Sequence, residues 1–231
     1  MFKSKYSTVL TIILIILIIA IIIIATVLAI GAYKDYQEEK ERDSIYTTLQ
    51  ENTNVDKPGK NNNTVDDEEL LKPIDTNTSG PTNTTGGDGQ TTRKPTKFYK
   101  EYPMIGYIKI EKTNVNYPVL LDVSPGALDT AVGVMYPSNP QLNTPGNVVI
   151  IGHNYRNGKF FANNEQLVIG DTIKITDLEG KTLTYTIYEI STIPETDTEY
   201  ITRERGDNIE ISLSTCTDDG EARLVILARV Q

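Results

Sequence analysis

Hydrophobic and polar positions divide the chain into three stretches. Val9 to Ala32 is apolar except at Thr11, Thr26 and Gly31. Twenty-four helical residues span about 36 Å, more than the ~30 Å hydrocarbon core of a bilayer. A cleavable leader has an apolar region of about 7–15 residues, so this stretch predicts a retained transmembrane anchor. Tyr33 to Gln50 is charged and is read as continuing the helix for a few turns. From Glu51 to Lys97 the residues are mainly Asn, Thr, Gly, Asp, Lys and Pro. These bury too little apolar surface to offset the entropy of ordering, which predicts a disordered linker. Such a linker has a mean reach of about 35–40 Å and would let a domain stand off the membrane and sweep the volume near it.

Beyond Tyr102 short apolar or alternating runs recur. They are Ile105–Ile110, Val115–Leu121, Val148–Ile151, Thr172–Thr176, Leu183–Glu189, Ile209–Cys216 and Leu224–Val230. Gly, Asp, Asn and Pro punctuate them, as strands and turns require. Ser124 to Ala131 predicts a short helix with Ser124 as cap and Pro125 at its first position, and Phe160 to Gln166 a second. Runs at this spacing predict an all-β fold, a closed barrel of about eight strands. The expected organisation is a cytoplasmic tail over 1–8, a transmembrane anchor over 9–32, a charged stalk and disordered linker over 33–97, and one folded domain over 98–231.

Charge narrows the function. Phe98 to Gln231 holds 11 Lys and Arg against 18 Asp and Glu. An acidic domain without a basic stripe is a poor nucleic-acid binder. Glu195, Asp197 and Glu199 have the oxygen chemistry of a calcium loop but are read as a solvated cluster, so neither metal nor cofactor is expected. Lys3 and Lys5 precede the apolar stretch and Lys34, Lys40 and Arg42 follow it, so basic residues alone do not orient it. The short N-terminal tail favours a cytoplasmic Met1 and an external C-terminal domain.

The chemistry-bearing residues stand at strand ends. Cys216, the only cysteine, ends one run, and Arg223 opens the next. If Asp218 to Glu221 form the turn, antiparallel pairing sets Thr217 opposite Ala222 and Cys216 opposite Arg223, Cβ atoms roughly 4.5–5.5 Å apart. A permanent cation beside a thiol favours thiolate. Strand alternation directs Ile209, Ile211 and Leu213 to the core and puts Glu210, Ser212, Ser214 and Cys216 on the polar face. A packing cysteine does not belong there. His153, the only histidine, follows Asn147-Val148-Val149-Ile150-Ile151-Gly152, a continuous apolar run that predicts a strand buried on both faces. One Cys, one His and one Arg suffice for a nucleophile, a proton-transfer group and a charge stabiliser.

These residues are similar to those of a known family. Leu213-Ser214-Thr215-Cys216 followed by Arg223 resembles the sortase signature, and Gly152-His153-Asn154 after an apolar strand resembles the sortase histidine motif. Ile105-Gly106-Tyr107-Ile108-Lys109-Ile110 and Tyr117-Pro118-Val119-Leu120 add to the likeness, which covers roughly Tyr102 to Gln231. Leu213-Ser214 departs from the Thr-Leu or Val-Thr of many members. The resemblance implies an eight-stranded barrel and a cysteine transpeptidase. Such an enzyme cleaves an LPxTG-type motif in surface proteins and passes the acyl group to an amine of cell-wall precursor or a pilin lysine. Cys216 would be the nucleophile and His153 the proton-transfer group, while Arg223 would hold substrate or stabilise the oxyanion. Asn154 is a candidate orienter of the imidazole. Ser214 and Thr215 would line the substrate groove, and Pro194, Tyr200 and Ile201 in the Ser191–Asn208 connection are candidate walls of an apolar slot. The 63-residue separation of His153 and Cys216 leaves no room for the extra helix of class B and points to class A or D. The implied place is the cell membrane, crossed once, with the catalytic domain facing the wall. Two other readings fit the residues: a cysteine peptidase without transfer, and a non-catalytic tethered barrel that binds a partner.

Overall fold

The computed structural model describes residues 5–52, 97–155, 157–203, 206–217 and 220–231. Most of the expected linker, and Asp218 and Asp219 of the predicted turn, lie outside them. The first element is one helix, α1 (Lys5–Asn52). It runs well past the apolar stretch because Leu, Ile, Ala, Lys, Glu and Gln are all tolerated in helices and no proline interrupts it.

Nine strands follow among the described residues: β1 (Lys97–Tyr99), β2 (Tyr102–Ile110), β3 (Val115–Leu120), β4 (Val132–Tyr136), β5 (Gly146–Ile151), β6 (Thr172–Asp177), β7 (Thr182–Pro194), β8 (Ile209–Cys216) and β9 (Ala222–Val230). Their order in the sheet is β1-β2-β3-β4-β5-β8-β9-β7-β6, and β6 also pairs with β2. That last pairing closes β2 to β9 into the expected eight-stranded barrel and leaves β1 on the outside of β2. All seven predicted strands are present. β1 and β4 were not legible: β1 is three residues long, and β4 is a short Gly-containing run with only two register pairs to β3. α2 (Pro125–Leu128) has Ser124 at its cap and Pro125 at its start, as predicted. The second expected helix is reduced to a 3₁₀ turn over Asn164–Gln166.

Closure buries one continuous core, including Tyr107, Ile108, Ile150, Ile175, Leu213 and Ile226. β5 lies between β4 and β8, and Val148, Val149 and Ile150 are all buried, as an unbroken apolar run requires. The polar face of β8 departs from expectation. Glu210, Ser212 and Ser214 are as buried as their apolar neighbours, because the β7–β8 connection covers that face. β7 also extends to Pro194, which shortens the connection expected over Ser191–Asn208.

The polar half of α1 lies on the barrel. Leu49 is fully buried in the core cluster, with Ile45 and Tyr46 packed against it. The Tyr46 and Tyr107 ring centroids are 5.2 Å apart. The Arg42 guanidinium stands 4.7 Å over the Tyr117 ring, and Asn116 Nδ2 donates to Asp43 Oδ1 at 2.7 Å.

Candidate active site

The β8–β9 hairpin has the predicted register. Cys216 is directly opposite Arg223, and Thr217 N–H donates to Ala222 O at 3.0 Å. One terminal nitrogen of Arg223 donates to Cys216 Sγ and the other to the Glu195 carboxylate. The guanidinium is thus fixed at both ends of its fork, a geometry lysine cannot reproduce. Cys216 is half-buried.

His153 reaches the same place through parallel pairing. β5 runs beside β8 with Ile151 level with Ser214, so two more residues bring His153 level with Cys216. Three hydrogen bonds stitch these strand ends together. Gly152 N–H donates to Ser214 O at 3.3 Å, Thr215 Oγ1 to Gly152 O at 2.8 Å, and Asn154 Nδ2 to Cys216 O at 3.2 Å. Asn154, expected to orient the imidazole, thus bonds the backbone of Cys216. A Cβ at position 152 would stand 2.9 Å from Val132 Cγ1 and 3.0 Å from Phe161 Cδ2. Glycine there allows the close approach that seats His153.

Two residues that sequence reasoning missed border the imidazole. The Tyr155 ring stacks on it with centroids 4.5 Å apart and planes at 15°. Asp129 Oδ1 is 3.7 Å from His153 Nε2 and accepts a hydrogen bond from the Tyr155 hydroxyl. That carboxylate raises the Tyr155 pKa above its ordinary value, so the phenol stays a donor throughout the neutral range. Tyr155 follows His153 by two residues and was findable as a neighbour. Asp129 sits at the end of α2, and no local pattern links it to position 153.

His153, Cys216, Arg223, Tyr200, Ser214 and Thr215 line one cleft of about 260 Å³, with Leu128, Met135 and Ile151 forming apolar wall. The Tyr200 hydroxyl donates to Ser214 Oγ at 3.2 Å within this cleft. Pro194 and Ile201 do not line the cleft. Pro194 ends β7 opposite Ala222, and the Ile201 carbonyl faces Asn147 Nδ2 at 3.4 Å. Glu195, first read as part of a solvated acidic cluster, is bound to Arg223. Among the described residues no cluster of three His, Cys, Asp or Glu side chains forms a metal site.

A buried polar chain underlies the Tyr200 wall. Arg203 donates to Tyr188 Oη at 3.0 Å, and to Glu210 Oε2 and Ser212 Oγ at 3.3 Å each. Ser212 donates to Asn147 Oδ1 at 2.9 Å, and Asn147 Nδ2 to the Tyr200 carbonyl at 3.1 Å. The β7–β8 connection is held from below by charge and hydrogen bonds.

The sortase-domain family model matches residues 108–231, more than half of the chain. Sortase A from Corynebacterium diphtheriae, as a lid mutant, is similar at 28% identity and TM-score 0.52, over 57% of this chain and 72% of that one. The Clostridium perfringens sortase D5 transpeptidase is 29% identical with TM-score 0.50, over 55% and 79%. Sortase C-1 from Actinomyces oris is 25% identical with TM-score 0.51, over 56% and 74%. No curated protein sequence matches the chain. A closed barrel with Cys216 facing Arg223 beside His153, and a family match that covers this whole constellation, make the chain a member of the sortase family of cysteine transpeptidases.

Proposed function

We propose that this sortase cleaves an LPxTG-type sorting motif through a thioacyl-enzyme on Cys216. The acyl group then passes to an amine of cell-wall precursor or pilin, outside a membrane crossed by residues 9–32. The observation that carries this reading is the Arg223 guanidinium bound to Cys216 Sγ in the cleft that also holds His153. The Cys216 thiolate attacks the scissile carbonyl carbon, and Arg223 donates toward the negative charge that develops on its oxygen. The C–N bond breaks, and His153 gives its proton to the departing amine. The acceptor amine then attacks the thioester, surrenders a proton to His153, and releases the thiolate. Tyr200 and the apolar side of the cleft supply the wall against which the motif lies. α1 supports the anchor, being a single apolar helix over its first half.

The test uses the full chain in detergent with a quenched sorting peptide and oligoglycine, followed by mass spectrometry. A ligated product that disappears in Cys216→Ala is expected. Cleavage without ligation at saturating amine would replace transfer with hydrolysis. No turnover of a panel of sorting peptides by a folded protein would overturn the reading.

A further inference from the structure

The stalk half of α1 presents one face to the barrel. Asp35, Glu38, Arg42, Ile45 and Leu49 recur at intervals of three, four, three and four residues, the spacing of a single helix face. Every one of them is engaged. Lys159 Nζ lies 2.8 Å from Asp35 Oδ1 and 3.8 Å from Glu38 Oε2. Arg42 lies on Tyr117, and Ile45 and Leu49 pack with the core. From residue 35 to residue 49 the docked face is about 21 Å long.

The apolar span and the docked face belong to one unbroken helix. No glycine or proline occurs from Tyr33 to Asn52, so the helix has no ordinary cause to bend there. A helix fixed in a bilayer at one end and to the barrel over ~21 Å at the other sets the barrel's height and tilt. Asp35 is three residues past the apolar run, about 4.5 Å along the axis, which is headgroup depth. Its partner Lys159 belongs to the loop closed by the Phe161 N–H bond to His153 O. Phe98 and Met104, beside Leu49, are about 21 Å farther from the bilayer. The end of the stalk meets the start of the barrel, since Thr48 and Leu49 line one pocket with Lys97 and Phe98.

We propose that the stalk of α1 is a strut docking the barrel on the bilayer it crosses, with residues 157–161 facing the phospholipid headgroups. The docked stalk then sets the height of the barrel above the bilayer, whatever the length of the chain between Asn52 and Lys97. The proposal rests on α1 being a membrane anchor.

The test is made on the full chain in liposomes with Cys216→Ala, which removes the native thiol. A first variant adds Asp43→Cys with Asn116→Cys, and a second adds Asp35→Cys with Lys159→Cys. Each is treated with a short bismaleimide, and intact mass separates one linker bridging both thiols from two linkers on one thiol each. Bridging in both pairs is expected. Absence of bridging in a protein that resists carbonate extraction would overturn the strut and leave the anchor standing. A protein extracted by carbonate would instead overturn the anchor. Headgroup contact is read with a fluorophore on Asn157→Cys or on Phe98→Cys and a headgroup-nitroxide lipid. Severalfold stronger quenching at 157 than at 98 is expected, and equal quenching would overturn the placement.

Discussion

Arg223 carries two bonds that no other residue type carries together, to the Cys216 sulfur and to Glu195. Removing one oxyanion donor costs about 10²–10³ in kcat, and Arg223→Ala should fall in that range. Arg223→Lys should recover only part of it, because an ammonium is a single point where the fork has two. Steady-state cleavage of a sorting peptide measures both, and full activity in Arg223→Lys would show that charge alone suffices. Tyr155 touches His153 by its ring and Asp129 by its hydroxyl. A ring pair contributes about 0.5–1.5 kcal/mol, up to roughly tenfold in rate. Tyr155→Ala should therefore lose up to about tenfold in kcat, and Tyr155→Phe distinctly less. Equal losses would assign the effect to the hydroxyl and Asp129. The Cys216–Arg223 pair was readable because one turn joins both partners. Asp129 was not, because only the folded path of β3, α2 and β5 brings it to position 153.

The hairpin and the parallel strand beside it were legible as elements, since period-two alternation fixes register and an unbroken apolar run marks a buried strand. Alternation also named the polar face of β8 correctly but left open what covers it. Glu210 is buried and Arg203 nearly so, and only the folded β7–β8 connection turns one onto the other. Breaking such a pair by removing one partner costs roughly 3–5 kcal/mol, because the other charge stays buried. Arg203→Met should destabilise the protein by about that amount, and Arg203→Met with Glu210→Leu should recover part of it. Denaturant unfolding of the detergent-solubilised chain measures this. Because the same network holds the Tyr200 carbonyl through Asn147, KM for the sorting peptide should rise in Arg203→Met while thiol alkylation of Cys216 stays near wild type. An unchanged KM would separate the network from the substrate wall.

At the scale of the whole molecule, composition marked the apolar helix and the barrel but not how they touch. The signal was present in the stalk, where Ile45 and Leu49 continue a single face among charged residues, yet the high charge density left it read only as a continuation of the helix. If that face is the proposed strut, the length of 53–96 does not govern how far the active site stands from the membrane. Deleting residues 61–86 should then leave the barrel where it is. Thr48 and Leu49 already lie beside Lys97 and Phe98, and shortening the chain between them changes its closure entropy cost by only ~0.8 kcal/mol. In proteoliposomes holding a membrane-anchored sorting substrate, the deletion variant should cleave at the wild-type rate within about twofold, a difference of under 0.5 kcal/mol. The same should hold for a soluble peptide. A tether would behave otherwise, since its accessible volume contracts with length, and only the membrane-bound substrate would then be lost. Loss of that substrate alone, with the soluble peptide still cleaved, would return the reach of this enzyme to the polar segment.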